Sequence, residues 1–349
     1  MPRPKRKAAE RAERPRRSGR PRPLNQLSTS AVPIAPEPME TVAGALPEMV
    51  APVILTTPPD QDYALLDSGD GQKLERYGAV TAIRPEAMAV WPRREPALWD
   101  KADAIFTGET DEASDEEAKG RWAFPRGAQG ETWPMSHDGV DYWGRFTAFR
   151  HMGVFPEQAA HWRWMVERLR ERGGGRVLNL FDYTGVASLA AAAAGAEVTH
   201  VDASKKAIGW ARENAEQAGL SDAPVRWICE DAGKYVAREV RRGSTYDLVL
   251  LDPPKFGRGP NGEVWQLFDH LPALLAGCRA VLTLRPIGIV LTAYAVRASF
   301  YAFHGLMGET MRGLGGRVES GELLIEEEGE RARLLPTSLF SRWVAEAAP

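Results

Sequence analysis

The chain has 349 residues, 44% of them hydrophobic, with two cysteines and a formal net charge of −3. That length suits one large domain plus a small one. It contains no apolar run near the roughly 18 residues of a membrane-spanning helix, and no Cys/His cluster with metal-ligand spacing, so neither a membrane nor a metal is expected. Two cysteines and no recognisable leader imply a reducing, cytoplasmic setting.

Residues 1 to 22 carry ten Lys/Arg against Glu10 and Glu13. Proline-rich and without an apolar face, this segment is expected to be disordered. It either binds RNA phosphates by counterion release or is a solvated tail. Residues 23 to 50 read as a Pro/Ala linker. Without the tail the remainder is more acidic, which argues against broad electrostatic RNA binding by the core.

From 51 to 150, short strand-like runs (Tyr63 to Leu66, Ala79 to Ile83, Val140 to Phe146) alternate with turns and predict a small α+β unit. Trp91, Trp99, Trp122, Trp133 and Trp143 fit its core better than an exposed base-stacking surface. The acidic run Asp111 to Glu117 reads as solvated, and His137 and His151 as isolated polar groups. A helix over Glu157 to Arg170 carries Trp162 and Trp164, read as packing that joins this unit to a third region, 151 to 349.

That third region alternates strand and helix. Arg176 to Phe181 is a strand-length apolar run after three glycines. Asp182-Tyr183-Thr184-Gly185 then makes a tight turn into a small-residue helix, Val186 to Ala194, closed by Gly195. A glycine at such a turn lets the backbone approach a ligand, and the helix N-terminus presents free N–H groups. The dinucleotide pattern G-x-G-x-x-G is not matched, so a nucleoside-type ligand lacking phosphate fits better. The strand Glu197 to Val201 ends in Asp202, about where nucleotide-binding α/β folds place a ribose-gripping acid. Ser204 caps a helix to about Ala218. Val225 to Cys229 ends in Glu230-Asp231, and Asp247 to Leu251 ends in Asp252. Three successive strands therefore end in an acid, more than the helix caps expected of chance.

The run Asp252-Pro253-Pro254-Lys255-Phe256 is the most informative in the chain. Two prolines fix φ and cannot donate to a ladder, so the loop is stiff. Open α/β sheets bind ligands at these carboxyl ends, and an acidic, aromatic loop there suits a planar, amine-bearing group. A strand over Ile287 to Ala293, a helix over about Ser299 to Leu314, and a hairpin of Glu322 to Glu327 with Ala332 to Leu335 complete the region. The fold class is α/β: a Rossmann-like, seven-stranded sheet with a small N-terminal α+β unit.

Residues 60 to 343 resemble a bacterial family of class I S-adenosylmethionine-dependent methyltransferases related to those of 23S ribosomal RNA. The matching pieces are Leu66 to Tyr77, Gly153 to Gln158, Leu178 to Gly185, Asp252 to Phe256 and Leu335 to Phe340. The resemblance implies S-adenosyl-L-methionine as cofactor and RNA as partner, with a homo-oligomer left open. It implies that Asp202 binds the ribose and Asp231 the adenine amine. Asp182, Tyr183, Thr184 and Gly185 would line the methionine, and Phe155 and Gln158 would close over the cofactor. Asp252, Pro253, Pro254, Lys255 and Phe256 would face the base.

Two departures bear on the chemistry. Residues 1 to 50 are too proline-rich for the RNA-binding domain of the ribosomal members. The cytosine-C5 members use a cysteine after the fifth strand, whereas Leu291 to Ser299 contains none. A ring carbon needs a transient thiolate adduct to become nucleophilic; a nitrogen does not. N-methylation without a covalent cysteine step is therefore preferred, the amine donating to Asp252 and the Pro253 carbonyl while the ring stacks on Phe256. A protein amide or a small molecule as acceptor, or a non-catalytic adenosine-ligand protein, are the alternatives.

Overall fold

A computed structural model describes residues 41–108, 120–294, 296 and 298–346. The basic segment, most of the expected linker and Asp111 to Glu117 lie outside the described residues.

The described chain opens with β1 (Glu48–Thr57). β2 (Tyr63–Gly69), β3 (Gln72–Tyr77), β4 (Val80–Pro85), β5 (Ala104–Phe106) and β6 (Trp122–Ala123) make a five-stranded sheet, with α1 (Pro96–Trp99) inserted. β7 (Thr132–His137) pairs with β8 (Val140–Arg145) as a separate ribbon. The alternating half begins with α2 (Ala159–Arg172), β9 (Gly175–Leu180), α3 (Val186–Ala193), β10 (Ala196–Asp202), α4 (Lys205–Gln217) and β11 (Val225–Cys229). It continues with α5 (Ala232–Arg242), β12 (Leu248–Leu251), the hairpin of β13 (Phe256–Arg258) and β14 (Val264–Gln266), and α6 (Leu267–Ala280). β15 (Gly288–Tyr294), α7 (Phe300–Thr310), β16 (Arg317–Glu326) and β17 (Leu334–Val344) close the chain.

The large sheet runs β1-β16-β17-β15-β12-β9-β10-β11. β9, β10, β11, β12 and β15 are parallel, and β17 is antiparallel to both its neighbours. From β9 the chain builds outward to β11, then returns to lay β12 and β15 on the other side. The order reverses between β9 and β12, and their diverging carboxyl ends leave a crevice.

The expected seven strands are present, with an eighth added. β1 pairs parallel with β16, and its register shifts between Val50 and Val53, around Pro52, which has no N–H for the ladder. A Cβ on Gly321 would stand 1.8 Å from the Val53 carbonyl oxygen, so only glycine admits β1 there. The boundary expected near residue 50 thus falls inside a strand of the large sheet. The final hairpin is also longer than its apolar runs suggested, because β17 continues as far as Val344 between β15 and β16.

Alternation along the strands separates two apolar layers. Val177, Leu248, Leu250 and Val290 face α2, α3 and the small unit, among Tyr63, Tyr77, Met135 and Trp162. Leu178, Val249, Leu251, Ile289 and Leu291 face α5, α6 and α7. The piece Leu66 to Tyr77 is polar but holds the small unit together. Asp67 accepts from Trp99 Nε1 at 2.8 Å and from Arg333. The fully buried Glu75 takes two hydrogen bonds from Arg84, at 2.7 and 2.8 Å, and one from each of the Tyr63 and Tyr77 hydroxyls. A buried carboxylate is tolerable because its lone pairs are so filled.

Candidate active site

The turn after β9 is held in a conformation that side chains resist. Phe181 and Tyr183 have φ of 62° and 51°, and Gly185 follows at 81°. Non-glycine residues there cost roughly 1–3 kcal/mol each and persist only when surroundings impose them. Here the surroundings do. Phe181 N–H donates to the Val201 carbonyl at 2.9 Å. Tyr183 N–H donates to Asp202 Oδ2 at 3.1 Å. The Thr184 carbonyl accepts from the buried Asn214 amide at 2.9 Å, while its hydroxyl donates to Gly153 O at 2.6 Å. A Cβ on Gly185 would meet Ala211 Cβ at 2.9 Å. The Asp182 carboxylate turns to the start of α3, accepting from the Ser188 N–H and hydroxyl, where the helix dipole favours an anion.

The next two acids are fixed by their own chain. Asp202 spreads its bonds, Oδ1 accepting from Ser204 N–H at 2.7 Å and Oδ2 from Tyr183 N–H. Burial pushes its carboxyl above the ordinary range. Asp231 caps α5, Oδ1 accepting from Lys234 N–H at 2.9 Å. A carboxylate offers about four lone-pair sites, so each acid retains acceptor capacity.

Asp252 ends β12 two residues beyond Leu250, on the same face as Val290 and Thr292. Burial, then the negative charges of Glu157 and Asp182, push its carboxyl up to about 8, against a hydrogen bond from Gln158. Gln158 Oε1 in turn accepts from the Thr292 hydroxyl at 3.1 Å. Three strangers in sequence thereby form one polar chain. Beyond Asp252 the loop is pinned from outside: Trp265 Nε1 donates to Pro254 O at 2.7 Å and Leu267 N–H to Lys255 O at 3.0 Å.

One cavity gathers much of this. Of the residues expected from sequence, Phe155, Gln158, Asp182, Tyr183, Thr184 and Asp252 line it. Gly185, Asp202, Asp231, Pro253, Pro254, Lys255 and Phe256 are not on its wall. Phe256 is carried off in β13, with Arg258 5.8 Å from its ring. Asn179, Thr292, Asn214 and Trp265 were missed. A lone threonine in the apolar run Ile287 to Ala293 was a readable signal; nothing near Trp265 announced its role. Neither cysteine lines the cavity: Cys229 is exposed and Cys278 is buried, its thiol pushed up by burial. No cluster of metal-ligating side chains occurs among the described residues, and no helix among them is long and apolar enough to cross a membrane.

A solved S-adenosylmethionine-dependent methyltransferase from Agrobacterium tumefaciens is 58% identical, covers 88% of this chain and 98% of its own, and superposes with a TM-score of 0.84. The chain belongs to the S-adenosylmethionine-dependent methyltransferases. The family model of that description matches residues 117–285 of this methyltransferase. A putative member from Streptococcus mutans, 18% identical with a TM-score of 0.61 over 81% of this chain and 75% of its own, shares the fold. Among curated relatives, ribosomal RNA large subunit methyltransferase K of Neisseria meningitidis is 28% identical over 54% of this chain and 53% of its own length. Large subunit methyltransferase I of Aeromonas salmonicida is 33% identical over 39% and 32%. Methyltransferase K/L of Ectopseudomonas mendocina is 34% identical over 39% and 18%. The chain thus spans about half or less of these curated relatives. The family's cofactor is S-adenosylmethionine.

Proposed function

We propose that this methyltransferase transfers a methyl group to an amino nitrogen of an unpaired RNA base, ribosomal RNA being the substrate class. The carrying observation is the Asp252 carboxyl on the cavity wall at the switch between β9 and β12, beside Gln158, which Thr292 holds in turn. The relatives' activity on ribosomal RNA supports the substrate class. A base inside a duplex cannot reach such a site and must be flipped or presented single-stranded.

The chain's own groups suit the cofactor. The spare lone pairs of Asp202 match a ribose diol, and Asp231 Oδ2 matches an adenine amine. Phe155 and Tyr183, with ring centroids 5.7 Å apart, offer π faces to a sulfonium cation. When bound, the cofactor supplies an electrophilic methyl group. The protein's task is then to aim the nucleophile and to take its proton. The Asp252 carboxylate accepts from the acceptor amine, orienting its lone pair, and receives the proton as the new C–N bond forms. Gln158, held by the Thr292 hydroxyl, stands beside Asp252 and favours its charged form. With no cysteine on the wall, the site favours a nitrogen, which needs no covalent adduct. Ribosomal RNA as substrate implies work in the cytoplasm.

The test incubates the protein with methyl-labelled cofactor and large-subunit RNA from cells lacking the enzyme, followed by mass mapping. Label on an exocyclic nitrogen is expected. Label on a ring carbon, on protein, or nowhere would reject the reading.

A further inference from the structure

Along β15, Val290 and Thr292 line the cavity, and Tyr294 is the next residue of that face, at the strand's carboxyl end. Its ring centroid lies 6.3 Å from that of Phe155, which lines the same cavity. The Arg150 guanidinium stands 5.3 Å from the Tyr294 ring. Arg84 donates to the Arg150 carbonyl at 2.9 Å while its other nitrogens hold Glu75, so the small unit fixes where Arg150 sits. Lys73, Glu86 and Glu157 complete the charged surroundings of the phenol.

Strand order assigns this aromatic to the acceptor. The sequence β11-β10-β9-β12-β15 sets out Asp231, Asp202, the turn Asp182–Gly185, Asp252 and Tyr294 side by side along one edge. At about 4.8 Å per strand, Asp231 to Asp252 spans roughly 14 Å, the stretch assigned above to adenosine and methyl group. Tyr294 lies one strand further, away from the adenosine acids and three residues beyond Leu291, the register partner of Leu251. A base whose amine reaches Asp252 from the side away from the adenosine acids meets β15, the strand that carries Tyr294. Neither aromatic is on the cavity wall itself, but Tyr294 stands against its Phe155, whereas Phe256, expected from sequence to be the stacking surface, is paired in the β13–β14 hairpin with Arg258 at its ring.

Resting on the base-methylation reading, we propose that Tyr294 is the platform on which the acceptor ring stacks, and that Arg150 is the cation beside that seat, within reach of the same nucleotide's phosphate. The small unit, through Arg84 and Arg150, therefore completes the substrate site of the catalytic sheet.

The variants Tyr294→Phe, Tyr294→Leu, Tyr294→Ala and Phe256→Ala are compared by calorimetry with S-adenosylmethionine and by steady-state methylation of the same unmodified large-subunit RNA. Stacking on an aromatic contributes about ten- to hundredfold by alanine substitution. Tyr294→Ala and Tyr294→Leu should raise KM for RNA by about that factor with cofactor affinity unchanged. Tyr294→Phe should stay within about twofold of wild type, and Phe256→Ala should raise KM for RNA less than Tyr294→Ala does. Intact cofactor binding and thermal melting establish that a weakened variant is folded. Tyr294→Leu matching wild type would overturn the proposal, as would Tyr294→Phe failing as badly as Tyr294→Ala, which would make the hydroxyl the working group. A wild-type protein that labels no RNA removes the base-methylation reading itself, and this inference with it.

Discussion

The two halves of the crevice are built in opposite ways. On the β10–β11 side, Asp202 and Asp231 are fixed by backbone N–H groups, those of Tyr183, Ser204 and Lys234. On the β12–β15 side, Asp252 has for its partners side chains from a distant segment: Gln158, itself held by Thr292, and Glu157, close enough to raise its proton affinity. Backbone-fixed acids make a rigid seat whose geometry follows from local chain conformation. A side-chain-fixed acid is tunable, because one substitution resets its proton affinity without moving a strand. A cofactor shared by a whole family suits the first construction; an acceptor that differs between members suits the second.

Four outcomes would sharpen or break that contrast. The largest effect belongs to Asp252→Ala, expected to lower kcat by about 10²–10⁴-fold, the range of a positioned acid–base group, with calorimetric affinity for S-adenosylmethionine unchanged; a matching loss of affinity would show the two sides are not separate. Next, Asp202→Ala should weaken cofactor binding by about ten- to a hundredfold through lost charge-assisted hydrogen bonds, and should lower Tm because the Tyr183 N–H loses its acceptor. Near-normal kcat at saturating cofactor is the expected companion result.

The third outcome is a pH dependence. With its carboxyl up at about 8, Asp252 is largely protonated at pH 7, and its accepting form grows as pH rises through 8. kcat/KM should climb from pH 7 to 9 and then level. Gln158→Leu removes the hydrogen bond that opposes the shift, so its rising limb should move to higher pH; an unmoved limb would separate Gln158 from Asp252. The same raised value means that ionising Asp252 costs the folded state stability, lost progressively between about pH 4, its unfolded value, and 8. Asp252→Asn should therefore raise Tm more at pH 9 than at pH 5. The smallest effect is expected of Cys229→Ala with Cys278→Ala, which should leave kcat within about twofold, since neither thiol reaches the cavity wall.

Much of the β10–β11 side of the crevice was legible in the sequence. A glycine turn, an acid 17 residues later and an N-cap acid before a helix are local patterns, and their geometry follows from φ values and capping bonds within a few residues. Ser204 capping α4 and Gly195 closing α3 at φ 89° follow the same logic. The β12–β15 side was only half legible. Asp252 announced itself through two prolines, yet Phe256 looked like its partner because it is adjacent in sequence. The hairpin of β13 and β14, anchored by Trp265, holds Phe256, while β15 brings Tyr294 against Phe155 from about forty residues further along.

The sequence by itself determined the alternation of strand and helix, the acids at the strand ends, the stiffness of the Asp252 loop and the absence of a cysteine after β15, since each depends on residue type and short spacing. Tertiary structure alone decided that β1 joins the large sheet as an eighth strand, that Gln158, held by Thr292, comes to Asp252, and that Arg84 of the small unit sets Arg150 before Tyr294. The physical reason is range. Capping and turn geometry act over three or four residues, whereas contacts between residues sixty or more positions apart exist only once strand order has brought their elements to one edge.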